Sequence, residues 1–301
     1  LALVSEGKTY SIQKPLTFSV RIKEYLILGK HRLSLTVVIS AFLGYLLAGK
    51  IVLNEVLLLT GGGFLLTLSS NAFNQVWERE FDKLMQRTQN RPLVKGSLSI
   101  LECLIFAIVT GASGLVLLLM LNQLTFIMGL LSIFLYVFIY TPMKRLSPWA
   151  VFVGALPGAM PPLMGYVAST GDFGLVPGVL FLVQFMWQFP HFWAIAWVLD
   201  DDYKKAGYRL LPSKFGKNKT SSFQIVAYTI GCVITSFAPY IIGTTGTISA
   251  MAAAILGAIF LKYAFVLHST NDVKDARKLM FASFIYLPLL QIFYVIDFYI
   301  L

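Results

Sequence analysis

Asn74, Glu78 and Asp82 recur at intervals of four in the stretch NQVWEREFDKLMQRTQNRPL, residues 74–93. On a helix of about 3.6 residues per turn that interval sets the three side chains along one face and turns Glu80 away from the row. Oxygen ligands in a row suit a hard divalent cation. Mg2+ takes oxygens at about 2.0–2.1 Å and commonly keeps waters or substrate phosphates as its remaining ligands. One row is too few groups for a protein-only cage, so the pattern fits a metal shared with a phosphorylated ligand. A second acidic run, Asp200, Asp201 and Asp202 in WVLDDDYKKAGYRLLPSKFG, is followed by Lys204, Lys205, Arg209 and Lys214, just as the first is followed by Lys83, Arg87, Arg91 and Lys95. Carboxylates to hold a metal, beside Lys and Arg to hold phosphate oxygens, are the parts needed to bind a diphosphate and stabilise it as a leaving group. Acids and bases in polar loops are usually just solvated. What sets these two runs apart is concentration, since six of the chain's 14 acids lie in them.

The elements that must position these residues are membrane helices. Of 301 residues 57% are hydrophobic and 13% charged, where a soluble domain carries charge at roughly a quarter of its positions; the mean hydropathy is +0.75. Several apolar runs reach the ~20 residues that a helix needs to cross about 30 Å of hydrocarbon. They do not alternate in the short segments of an outer-membrane barrel. The expected fold is an all-α polytopic membrane protein with about nine transmembrane helices, near residues 33–49, 51–74, 98–121, 123–141, 148–168, 174–199, 222–243, 245–267 and 279–299. The first span begins too far along, behind too charged a tail, for a cleaved signal peptide. A tail over residues 1–32 and a single transmembrane domain over 33–301 are the economical division. The two long charged loops, after spans two and six, hint at a weak duplication of a four-span unit.

Charge orients the bundle. Of 24 Lys and Arg residues, 22 fall on the tail and on alternate loops, and the opposite loops, such as LNQL and GTTGT, are short and uncharged. The positive-inside rule places the N-terminus and both acidic runs in the cytoplasm, with the C-terminus outside. The net charge of +10 is thus mostly topology, with attraction to anionic headgroups as a secondary effect. Nucleic acid drops out as a partner. Cys103 and Cys232 both lie in expected spans with no CxxC or Cys/His spacing, which leaves packing as their role and gives no support for a disulfide framework or zinc site. An apolar bundle beneath a diphosphate site has room for a long hydrocarbon tail, and that combination suggests an intramembrane prenyltransferase.

NQVWEREFD resembles the NxxxDxxxD motif of the UbiA superfamily of intramembrane prenyltransferases. Within it, RTQNRPL, YTPMKRLSPWAVFVGALPGAMPPLMGY, WQFPHFWAIAW with DDYKKAGYRLLP, and ARKLMFASFIYLPLLQIFYVID resemble the protoheme IX farnesyltransferase branch, in order and spacing over nearly the whole chain. The resemblance implies transfer of a farnesyl group from farnesyl diphosphate to a vinyl group of heme B, with addition of water, giving heme O for heme-copper oxidases. It implies Mg2+ as cofactor, the lipid bilayer of a bacterial inner membrane as location, and association with a heme A synthase or oxidase assembly. It assigns Asn74, Glu78, Asp82 and Asp202 to catalysis, and the same residues with Asp201 to the metal. Asp200 is a neighbour able to substitute. Arg79, Arg87, Arg91, Lys95, Lys144, Arg145, Lys204 and Arg209 fall to the diphosphate, with Arg87 and Arg91 foremost. Two departures stand out. Glu78 and Glu80 replace the usual aspartates, each arm longer by one methylene, and His31 stands where the family usually has proline.

His191, in FPHFW, is an ionisable residue within a span and so a functional candidate. As a heme-binding residue it would ligate the iron or bond a propionate; the blander role is to satisfy carbonyls freed by Pro190. Trp187, Phe189, Phe192, Trp193 and Trp197 could line a cavity and face a cation, although most such aromatics only pack. Three prolines and three glycines in GALPGAMPPLMGY are expected to break or kink span five, as a binding-site feature or for packing alone. Two rivals carry other expectations. A prenyltransferase acting on a quinone precursor or chlorophyllide would share the diphosphate site. A secondary transporter would put charge near the midplane, where only Glu102 and Lys262 qualify.

Overall fold

With no water in the bilayer to satisfy backbone groups, helices that close their own hydrogen bonds are what a chain this apolar can form. The computed structural model describes residues 17–301, and every regular element among them is helical. Lys8 and Lys14, counted with the tail charge, lie outside the described residues. The helices are α1 (Phe18–Leu28), α2 (His31–Leu46), α3 (Leu53–Asp82), α4 (Pro92–Lys95) and α5 (Ile100–Leu119). There follow α6 (Gln123–Met143), α7 (Ala150–Thr170) and α8 (Leu175–Val198), then the short α9 (Asp200–Lys205). The chain ends with α10 (Lys219–Ile241), α11 (Thr247–Thr270) and α12 (Val273–Ile300). Eight are long and apolar enough to cross a membrane, and α1 with α2, bent by 55° at a short break, makes up to nine.

The N-terminal part differs from expectation. The segment read as tail carries α1, whose 11 residues span only about 16 Å. Too short to cross, α1 packs on α4 and α3 at the charged end of the bundle. The chain turns into α2 through Gly29 and Lys30, and Lys30 adopts a left-handed conformation with φ of 50°. α3 also departs from its expected length. Its 30 residues reach about 45 Å, well beyond the hydrocarbon thickness, so the helix continues past the apolar run to Asp82 and carries the whole acid row on one rigid element.

α7 is not broken by its prolines. It runs as one helix through Pro157, Pro161 and Pro162. Pro162 cannot donate to the carbonyl of Gly158; Gln184 Nε2 of α8 does so instead at 2.7 Å. Gln184 Oε1 in turn accepts from Ser40 of α2 and Gln291 of α12, each at 2.8 Å, so one amide ties four helices together. Glycine explains why α2 and α7 lie so close. A Cβ on Gly165 would run into the Ala41 carbonyl, and one on Gly44 into that of Pro162. Glu102, expected within a span, sits instead in the first turn of α5, in a capping box with Ser99 and in an ion pair with Arg21. Lys262 lies exposed on α11.

Candidate active site

The inner face of α3 delivers the acid row. Asn74, Glu78 and Asp82 are 1%, 4% and 1% exposed, which for two carboxylates demands partners. Lys144, just beyond α6, places Nζ 2.6 Å from Glu78 Oε1. Arg91, at the start of α4, donates to Asp82 Oδ2 and lies 3.9 Å from Glu78 Oε2. Asn74 donates to Thr141 Oγ1 at 3.2 Å. Thr141 closes a π-helical segment, Leu135–Tyr140, and extra-wide turns of this kind recur at functional sites. The loop back from Asp82 is held by Thr88 Oγ1, which donates to the Asp82 carbonyl at 2.8 Å.

Two further loops close over the row. Asp202 Oδ2 accepts from the Arg87 backbone N–H at 3.3 Å, joining the second acidic run to the loop that follows the first. The Arg209 N–H donates to the Lys144 carbonyl at 2.9 Å. Lys144 Nζ lies 4.7 Å from the ring centre of Tyr140 and 5.8 Å from that of Tyr208. Burial alone would push the Lys144 ammonium down, but Glu78 against it leaves it raised, so it stays charged. Burial, then Arg91 and Lys144, push Lys30 down to about 7, with Glu78 opposing and Arg87 adding to the repulsion.

Not every expected residue joins this group. Arg79 points off the opposite side of α3, pairs with Glu80 at 3.0 Å and lines a surface hollow with Lys83, Ser97 and Ser99. One residue past Glu78 is about 100° around a helix, and that rotation takes it away from the row. Arg87 and Arg209 reach the site through their backbones while their side chains are exposed. Lys95 is exposed at the end of α4. Arg145 stacks on Phe81, 3.9 Å from the ring centre. Within the second run Asp201 is exposed and Asp202 partly buried, with Lys205 at 3.7 Å. Asp200 is the buried one, held by Lys204 at 2.8 Å and Lys217 at 3.5 Å. Lys30 and Tyr208 are the members that motif spacing missed. Lys30 was visible only as tail charge, and nothing in AGYRLLP marks Tyr208.

The donor set fits a shared metal. Among the described residues no three His, Cys, Asp or Glu side chains converge to hold an ion by themselves. The carboxylates present are hard oxygen donors, and Asp82 Oδ1 is buried without any hydrogen-bond partner among the described residues. His191 lies deeper, on α8. Its Nδ1 is 2.8 Å from Ser283 Oγ, its ring stacks on Trp187 at 4.2 Å, and Phe192 and Phe284 meet it edge-on. It does not serve a carbonyl freed by Pro190. Ser283 spends its proton on the Met280 carbonyl at 2.6 Å. Nδ1 must therefore carry the imidazole proton, which leaves Nε2 with a free lone pair.

Comparison with known proteins points the same way. Residues 37–286 match the UbiA prenyltransferase family. The protoheme IX farnesyltransferase of Cytophaga hutchinsonii is 46% identical over 280 residues, covering 92% of this chain and 98% of its own. Among solved structures, a digeranylgeranylglyceryl phosphate synthase superposes with a TM-score of 0.78 at 23% identity, covering 94% of this chain and 100% of its own. A UbiA homologue from Archaeoglobus fulgidus bound to GPP and Mg2+ gives 0.63 at 16%, covering 90% and 99%. At these identities the structures speak for the fold alone.

Proposed function

Because the chain belongs to the UbiA prenyltransferase family, we propose that it transfers a farnesyl group from farnesyl diphosphate to a vinyl group of heme B, with addition of water, to give heme O. One observation carries the reading. Glu78 and Asp82 are buried against Lys144 and Arg91, with one Asp82 oxygen left over. A buried, compensated set of two acids and two bases is a diphosphate site with its charges paired in advance.

Asn74, Glu78 and Asp82, with Asp202 and Asp201 across the loops, are the residues that would hold Mg2+. Mg2+ when bound supplies charge neutralisation that makes the diphosphate a better leaving group. With the carboxylates engaged by the metal, Lys144 and Arg91 would be free to meet phosphate oxygens, and Lys30 adds a third cation from the turn between α1 and α2. Arg87, placed by the bond from its backbone to Asp202, joins them. Arg145, Lys204, Arg209 and Lys95 stand at the rim, where they steer an anion more than they hold it. Arg79 has no part in this arrangement.

Cleavage of the C1–O bond leaves diphosphate and an allylic farnesyl cation. Burial keeps bulk water from it, and the Tyr140 ring beside Lys144 offers a π face. The vinyl terminus of heme B then bonds to C1, charge passes to the carbon next to the porphyrin, and water adds there and sheds a proton. His191 serves the acceptor: its unprotonated Nε2 is the form that ligates heme iron, and Trp187 and Phe284 pack a flat ring. Heme O would pass to a heme A synthase or to oxidase assembly. We place the chain in a bacterial inner membrane, with residues 33–301 as one transmembrane domain and α1 in its tail, and the positive-inside rule supports a cytoplasmic side for the acidic loops. A transporter is disfavoured, because Glu102 caps a helix and Lys262 faces outward.

The test is release of diphosphate from farnesyl diphosphate in the presence of heme B. It should require Mg2+ and fall by about 100-fold or more in Glu78→Gln, the scale of losing one transition-state electrostatic group. Undiminished release in that variant would remove the acid row from the reaction.

A further inference from the structure

We propose that Tyr208 is a substrate-contacting residue whose phenolic hydroxyl donates a hydrogen bond to the diphosphate held over the acid row. The inference rests on the diphosphate reading above. Tyr208 belongs to neither acidic run and stands in the loop after α9. It is wedged into the site all the same. The turn at Gly207 uses a φ of +71°, which suits glycine. The Tyr208 N–H donates to the Tyr203 carbonyl at 2.9 Å, and the next N–H, of Arg209, donates to the Lys144 carbonyl at 2.9 Å. Its ring meets Tyr203 edge-on at 5.4 Å and faces the Lys144 ammonium.

The hydroxyl at the end of this wedge is 6% exposed as a residue and has no hydrogen-bond partner among the described residues. A buried phenol without a partner is costly, and such groups are rare enough to need a reason. Asp82 Oδ1 of the same site is an unpartnered acceptor. An orphan donor and an orphan acceptor that do not satisfy each other call for a third group, one that accepts from the phenol and brings positive charge to the carboxylate. A metal-bound phosphate oxygen does both. A phenol is an O–H donor at neutral pH, so it can donate to a phosphate oxygen. It transfers no proton. Its hydrogen bond strengthens as C1–O cleavage puts further negative charge on the diphosphate.

Calorimetric binding of inorganic diphosphate with Mg2+, using the full chain in lipid nanodiscs, tests this in wild type, Tyr208→Phe, Ser213→Ala and Glu78→Gln. Tyr208→Phe should bind about tenfold more weakly, with an unchanged thermal midpoint. Turnover of farnesyl diphosphate should fall while the KM for heme B does not move. Ser213→Ala removes another unpartnered hydroxyl of the same loop and should bind as wild type does. Equal affinity in wild type and Tyr208→Phe would overturn the inference while leaving the acid row intact, provided Glu78→Gln still loses binding. Equal weakening in Ser213→Ala would overturn it as well, by tracing the effect to the loop as a whole. Wild type that binds no diphosphate would sink the inference and the functional reading together.

Discussion

Lys30 reaches the acid row from a left-handed turn, where burial together with Arg91, Lys144 and Arg87 pushes its ammonium down to about 7 and only Glu78 opposes them. A group depressed in this way is partly neutral near pH 7 and mostly neutral at pH 9. A bound diphosphate favours the charged form, so binding takes up a proton at Lys30. The affinity of wild type for inorganic diphosphate with Mg2+ should therefore weaken between pH 7 and pH 9, and Lys30→Arg, which cannot lose its charge, should flatten that slope. Identical slopes in the two proteins would show that Lys30 does not face the ligand. At this scale the sequence was legible where spacing is helical. Asn74, Glu78 and Asp82 fall on one buried face as their intervals require, whereas Arg79, adjacent to Glu78, points off the other side. Lys144 and Tyr208 come to the row from loops 66 and 130 residues past Glu78; Lys144 was legible through the family resemblance of its loop, whereas only tertiary contact reveals Tyr208.

Helix ends and helix contacts carry the next level. α3 outruns the apolar stretch that predicts it because hydropathy registers the bilayer and not the helix. α7 keeps its course through three prolines because Gln184 supplies the missing donor at Gly158, a contact between helices that local composition cannot foretell. The same helix depends on small residues where α2 crosses. Gly165→Ala should clash with the Ala41 carbonyl, lower the thermal midpoint in detergent and cost at least the ~1–3 kcal/mol typical of overpacking. Gly178→Ala, with nothing near its added Cβ, should be close to neutral. Similar midpoints for the two variants would mean that α2 and α7 do not approach as closely as described. α1 falls within the stretch that reads as tail because 11 residues with this much charge are too few to count as a span.

Across the whole molecule, the acid row and the basic loops share one end of the bundle. The loops carrying Arg87, Lys144 and Lys217 converge there, and the turns at Gly49, Gly171 and Gly243 lie opposite. With single-cysteine variants in a background lacking Cys103 and Cys232, an impermeant thiol reagent applied to intact cells should label Thr244→Cys and spare Lys214→Cys. The reverse pattern would put the diphosphate site outside. The reaction itself is the claim that matters most. Purified protein incubated with heme B, farnesyl diphosphate and Mg2+ should yield heme heavier by one farnesyl group plus one water, as read by mass analysis of the extracted heme, and Asp82→Ala should not. Heme left unmodified while the same preparation prenylates a quinone precursor would contradict the account at its centre.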